Sequence, residues 1–123
     1  MKAALAQSLA LIALLALGAP AAPAERGISV HALMQDPAPY DGKIVTVVGM
    51  ITGYRERTSN AGTPYTVFRL ADGDASVVVF SWNRQGLADG QRVRVTGTFS
   101  RIKQAGTSPV ANEIQAYRIE VLR

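Results

Sequence analysis

The chain has 123 residues, one His, no Cys and a formal charge of +4 from 13 Lys and Arg against 9 Asp and Glu. That length holds one small domain, not a multidomain enzyme, a repeat solenoid or a multi-span transporter. With no cysteine and a single imidazole, the composition excludes disulfides, thiolate metal sites, thiol nucleophiles, lipid attachment through cysteine and two-histidine zinc sites.

Residues 1–24 read as an address. Lys2 is a minimal positive start, Ala3 to Leu17 carries no charge, and Gly18 to Ala24 breaks that run with small residues and prolines. Ala22-Pro23-Ala24 fits the small-x-small rule for signal peptidase, so cleavage is expected between Ala24 and Glu25. The uncharged run is shorter than the roughly 20 residues that span a bilayer. Membrane contact is therefore expected only through this segment before cleavage, and the mature domain, 25–123, is expected to be periplasmic or secreted. An exported domain this small usually leans on disulfides. A closed barrel is one alternative, because closure removes both sheet edges.

In the mature domain, Ser29 is placed to cap a brief helix over Val30 to Gln35, with Pro37 and Pro39 stopping it. Tyr40-Asp41-Gly42-Lys43 reads as a turn. Strand signals follow at Lys43 to Tyr54, Pro64 to Ala71, Ala75 to Trp82, Gln91 to Ile102 and Val110 to Leu122. Arg55 to Thr63 and Lys103 to Pro109 read as polar loops. Asp72-Gly73-Asp74 reads as a tight turn, and Asn83 to Gly90 as a connector with room for one helical turn. Gly49 and Gly97 lie inside the two long strands, where glycine marks a bend or bulge. Five strands in so short a domain, two of them glycine-bent, predict an all-β, five-stranded Greek-key barrel with a short N-terminal helix.

Strand alternation assigns the faces. Val45, Val47, Gly49 and Ile51 point inward, and Thr46, Val48, Met50, Thr52 and Tyr54 outward. In the second strand Phe68 and Leu70 point in, and Tyr65, Val67 and Arg69 out. In the fourth, Val93, Val95 and Phe99 point in, and Arg92, Arg94, Thr96 and Thr98 out. Val77-Val78-Val79-Phe80 is apolar on both faces and leaves its register open. Tyr40 is expected to pack over a barrel end and Tyr117 within the last strand.

Three stretches resemble a family. Tyr40 to Ile51 resembles the first strand of OB-fold domains of the tRNA-anticodon-binding type. Tyr65 to Gly73 resembles their second strand and turn, and Asp89 to Phe99 their fourth strand. The likeness covers nearly the whole mature chain, and the signal segment is similar to that of small exported OB-fold proteins of bacterial envelopes. It implies a fold that binds single-stranded nucleic acid, including DNA, across its second and third strands, or else sugars, peptides or proteins. Single strands need cations for phosphates and flat rings for bases. The candidate set is Tyr54, Arg55, Arg57, Tyr65, Arg69, Trp82, Arg84, Arg101 and Lys103, with Arg92 and Arg94 on the same barrel. The resemblance places the loops bearing Arg55, Arg57, Arg101 and Lys103 beside one binding face. Ten of the thirteen basic residues are Arg, which favours forked and stacked contacts over point charges.

Other readings compete. Trp82 can stack on a ligand or plug a barrel end. A solvated barrel surface also carries arginines, and the +3 of residues 25–123, once Lys2 has left, is modest for a nucleic-acid binder. Asp72 and Asp74 belong to a turn sequence. Asp89, Glu113 and Glu120 are dispersed, so neither a metal site nor a nuclease is expected. His31 lies before the barrel and has no histidine after it, which removes the haem-carrying role of a similar exported OB-fold protein. No Gly-x-Ser-x-Gly is present. The expectation is a non-catalytic binding protein without cofactor. The alternative is an envelope protein-interaction or stress-response module, with outward Val48 and Met50 as its apolar contact.

Overall fold

The computed structural model describes residues 27–105 and 108–123, with 102–105 and 108–110 described as backbone only. The export signal expected over 1–24 lies outside the described residues.

Six strands form among the described residues, numbered here in chain order: β1 (Ile28–Ser29), β2 (Ile44–Thr58), β3 (Pro64–Asp72), β4 (Ala75–Trp82), β5 (Arg92–Ala105) and β6 (Ser108–Val121). The helix α1 (Val30–Gln35) and a 3-10 turn at Ala38–Tyr40 precede the long strands. The Ser29 hydroxyl accepts from the Ala32 N–H at 3.0 Å, which caps α1 as its sequence predicts.

β2 pairs antiparallel with β3 on one side and β5 on the other, β3 with β4, and β5 with β6. The parallel pair β4–β6, with Val79 opposite Ile114, closes the ring. The order β2-β3-β4-β6-β5, returning to β2, is a five-stranded closed barrel. The sixth strand, β1, adds two residues parallel to β2 at Val47 and Val48. β1 is not among the five strands that the sequence predicts.

The core is the inward row of each strand: Val45, Val47 and Ile51, then Phe68 and Leu70, Val77 and Val79, Val93, Val95 and Phe99, and Ile114. Burying each such side chain stabilises the fold by about 1.5–3 kcal/mol. α1 inserts Val30 and Leu33 into the barrel end near the β3–β4 turn. The His31 N–H donates to Asp72 Oδ2 at 3.2 Å and ties the helix there. The other end is covered by the connector after β4, which has no helical turn. Gln85 reaches back to the Ser81 hydroxyl and the Trp82 carbonyl, and its N–H donates to the Thr66 hydroxyl.

Two strands are longer than their sequence predicted. β2 continues through Thr58, because Arg55, Glu56, Arg57 and Thr58 pair with Val67, Thr66, Tyr65 and Pro64. β5 continues to Ala105, against a β6 that starts at Ser108. Polar composition had made loops of both stretches, yet a hairpin stem that projects past its core tolerates polar residues on both faces. Tyr117 is also corrected. A register shift in the β5–β6 ladder passes over it, with Ala116 opposite Gly97 and Arg118 opposite Thr96, and leaves it 63% exposed. Tyr40 does pack against the core.

Candidate functional site

One irregularity in β2 builds the outer face. Thr52 pairs with Arg69, and the next pair is Arg55 with Val67, so Gly53 and Tyr54 together oppose Phe68. Gly53 takes φ +61°, open to glycine at little cost. This bulge reverses the phase of the strand. Strict alternation puts Tyr54 outside and Arg55 and Arg57 inside. Instead, Tyr54 lies half-buried with its ring 6.0 Å from that of Phe68, and both arginines stand exposed outside.

Tyr54 is thereby a bracket for the connector. Its hydroxyl donates to Glu56 Oε2 at 2.8 Å and accepts from the Leu87 N–H at 3.2 Å. Its own N–H donates to Asp89 Oδ1 at 2.8 Å. Glu56 also accepts from the Gly86 N–H at 3.0 Å. The Tyr54 hydrogen bond first, then that of Gly86, hold the Glu56 carboxyl below the ordinary carboxylate value; desolvation pushes the other way, and the charge of Arg84 adds the smallest pull downward.

Cross-strand pairing then sets three rows on the outer face of β2, β3 and β4. The first is Arg57, Tyr65 and Trp82; the second Arg55, Val67 and Phe80; the third Thr52, Arg69 and Val78. Tyr65, Phe80 and Trp82 form a ring cluster. Tyr65 lies 5.3 Å from Phe80 at 29°, and Trp82 meets Phe80 edge-on at 4.9 Å and 88°. Trp82 remains 46% exposed, so it does not plug the barrel. Arg69 donates from Nη1 to the Ser76 hydroxyl at 3.1 Å. A recess of about 240 Å³ lies between Arg55 and Arg69, lined also by Gly53, Val67, Phe68 and Val78.

Of the residues proposed from sequence, Arg55, Arg57, Tyr65, Arg69 and Trp82 therefore share one face. Arg84 is exposed in the connector, near Glu56. Arg101 is exposed on β5, its N–H donating to Asp41 Oδ1 at 3.0 Å. Lys103 is in β5 as well, its side chain outside the described part. Because β6 runs parallel to β4 with Glu113 beside Val78, the β5–β6 hairpin leaves the barrel near the β3–β4 turn. Arg101 is thus at the opposite end of the face from Arg57 and Trp82. Arg92 and Arg94 lie on β5, and Arg94 pairs with Glu120 at 3.4 Å.

Phe80 is the residue that sequence reasoning missed. Had Trp82 been set outward, strand alternation would have put Phe80 and Val78 beside it. Val48 and Met50 do point outward. With Ile28, Ala71, Asp72 and Arg92 they line a larger open groove of about 640 Å³ past the third row. Asp72 ends β3 and Asp74 is the second residue of the two-residue turn Gly73-Asp74, and no group of three metal-ligating side chains occurs among the described residues.

The barrel is similar to solved structures. It aligns with a protein described as an aspartyl-tRNA synthetase from Leishmania major, with TM-score 0.59 and 19% identity. That alignment covers 76% of this chain and 20% of the other, so this chain spans about a fifth of that protein's length. The second OB-fold domain of replication protein A from Methanococcus maripaludis aligns with TM-score 0.49 and 18% identity over 67% of this chain and 86% of that one. An OB domain from Thermoplasma acidophilum gives 0.43 and 24% over 64% and 74%. No family model matches the sequence, and no curated protein matches it. Strand order, closure and the Leishmania alignment together define an OB-fold domain.

Proposed function

We propose that this chain is an exported, non-catalytic OB-fold module that binds single-stranded nucleic acid, or an anionic polymer of like chemistry, across the β3–β4 face. The observation that carries the reading is the meeting of three rings, Tyr65, Phe80 and Trp82, with three arginines, Arg55, Arg57 and Arg69, on one outer surface. Rings accept bases by stacking, and guanidinium groups take phosphate oxygens in forked pairs. No carboxylate pairs with these three arginines among the described residues. Arg84, Arg101 and Lys103 would extend the positive surface, whereas Tyr54 acts by holding the connector. Export rests on the signal-like residues 1–24; fractionation and N-terminal sequencing test it, with Glu25 the expected first residue.

Trp82 is the sole tryptophan and reports on the site directly. The test is fluorescence titration of the mature domain with a short single-stranded DNA at two salt concentrations. Quenching should saturate, and log affinity should fall with log salt by about 0.7 per phosphate contacted. Flat fluorescence and flat anisotropy of labelled DNA at both salts would end this reading. Stoichiometric capture of an envelope protein, abolished by Met50→Ser, would then favour the interaction-module alternative, since Met50 is 45% exposed in the larger groove.

A further inference from the structure

We infer that the recess between Arg55 and Arg69 is a single-phosphate subsite that sets where a bound strand sits on the face. This rests on the nucleic-acid reading above and adds to it a fixed register.

Arg55 pairs with Val67 and Arg69 lies two residues further along β3, so the two are diagonal neighbours across the strand pair. Diagonal neighbours stand about 7–8 Å apart, within reach of long side chains. Two like charges so placed repel, and no carboxylate pairs with either among the described residues. Glu113, the buried acid of this region, is on β6 beyond Val78 and not between them. The space the arginines share is walled by Val67 and Val78, floored by Phe68, and bounded at the bulge by the bare backbone of Gly53.

That construction selects its occupant. The recess of about 240 Å³ is smaller than the roughly 300–1,000 Å³ of small-molecule pockets, so it takes one group rather than a whole cofactor. Two guanidinium forks on opposite sides match a tetrahedral oxyanion with several acceptor oxygens. Ser76 of β4, opposite Ala71, accepts from Arg69 Nη1 at 3.1 Å and leaves the other guanidinium N–H donors of Arg69 for a ligand. The recess lies beside Phe80, so a phosphate within it brings the adjoining base over the rings.

The test compares Arg55→Gln, Arg69→Gln, the double variant and Arg57→Gln, each with an unchanged melting temperature. The probes are a short oligothymidylate, read by Trp82 quenching over a salt series, and inorganic pyrophosphate, read by arginine side-chain NMR. A shared phosphate predicts a loss of roughly tenfold for each single variant. The double variant should lose no more than about threefold further, because the pair acts on one group. Its salt slope should drop by about 0.7, one phosphate, and not by twice that. Arg57→Gln should add independently to either. Pyrophosphate should shift the Arg55 and Arg69 resonances together and leave Arg57 unmoved. Oligothymidylate binding with additive losses and a two-phosphate slope change would overturn the subsite and leave the wider reading standing. Joint pyrophosphate shifts without any oligothymidylate binding would overturn the wider reading and keep the recess as a site for free phosphate.

Discussion

Gly97 is where the barrel allows least. β5 bends there against β6, and the ladder changes register between Thr96 and Gly97. A Cβ on Gly97 would land on the Gln115 carbonyl oxygen and 2.6 Å from the Ala116 Cα, both main-chain atoms of β6. Relief requires moving the strand that closes the ring against β4. Overpacking a well-filled core typically costs about 1–3 kcal/mol, and a clash with backbone belongs at the upper end. For a domain of about 100 residues each kcal/mol lowers Tm by roughly 4–8 °C, so Gly97→Ala should lower it by at least about 12 °C. Gly49→Ala is the comparison. Its Cβ would meet the Ala71 carbonyl oxygen and Leu70 Cγ at 2.9 Å and Val30 Cγ2 at 3.0 Å. Two of those three neighbours are side chains that can rotate, so its loss should be the smaller. Thermal melts by circular dichroism measure both. A Gly97→Ala shift below about 4 °C, or one smaller than that of Gly49→Ala, would refute the reasoning, because less than 1 kcal/mol leaves no room for a backbone clash.

Three further outcomes are expected. Phe80→Ala removes the ring that both Tyr65 and Trp82 contact, and should weaken oligonucleotide binding by roughly tenfold at about 1–3 kcal/mol per stacked base, measured by anisotropy of labelled DNA. Leu33→Ala empties the helical plug of one barrel end and should cost about 2–5 kcal/mol in urea denaturation. Glu56 has a folded-state pKa below its ordinary 4.5, so its contribution is present above that value and is lost as pH falls through the lower folded value. The Gly86 and Leu87 amide signals should therefore move together in a titration below pH 4.5, and Glu56→Gln should abolish that transition.

Much of the barrel was legible in its strands one at a time. The inward valines of β2 and β5, Phe68 and Leu70, the cap at Ser29 and the boundaries of β4 all follow from period-two alternation and local turn chemistry. These are properties of neighbours in sequence, and the two glycine bends announce themselves by interrupting β-branched runs. The face bearing the rings and arginines was only partly legible. Arg55, Arg57, Tyr65, Arg69 and Trp82 could be proposed by residue type, but alternation counted from Ile51 turns Tyr54 outward and Arg55 inward. One extra residue, Gly53, reverses that count, and its effect exists only once β2 has β3 to pair with. Phe80 was hidden for a related reason: in an apolar run both faces look alike until a partner strand chooses between them. β4 and β6 meet in parallel across a closure that no local pattern encodes. The sequence alone thus determined an all-β barrel and the chemistry available to its surface. Tertiary pairing decided which of those side chains share a face, because a single bulge shifts every later residue to the other side of the sheet.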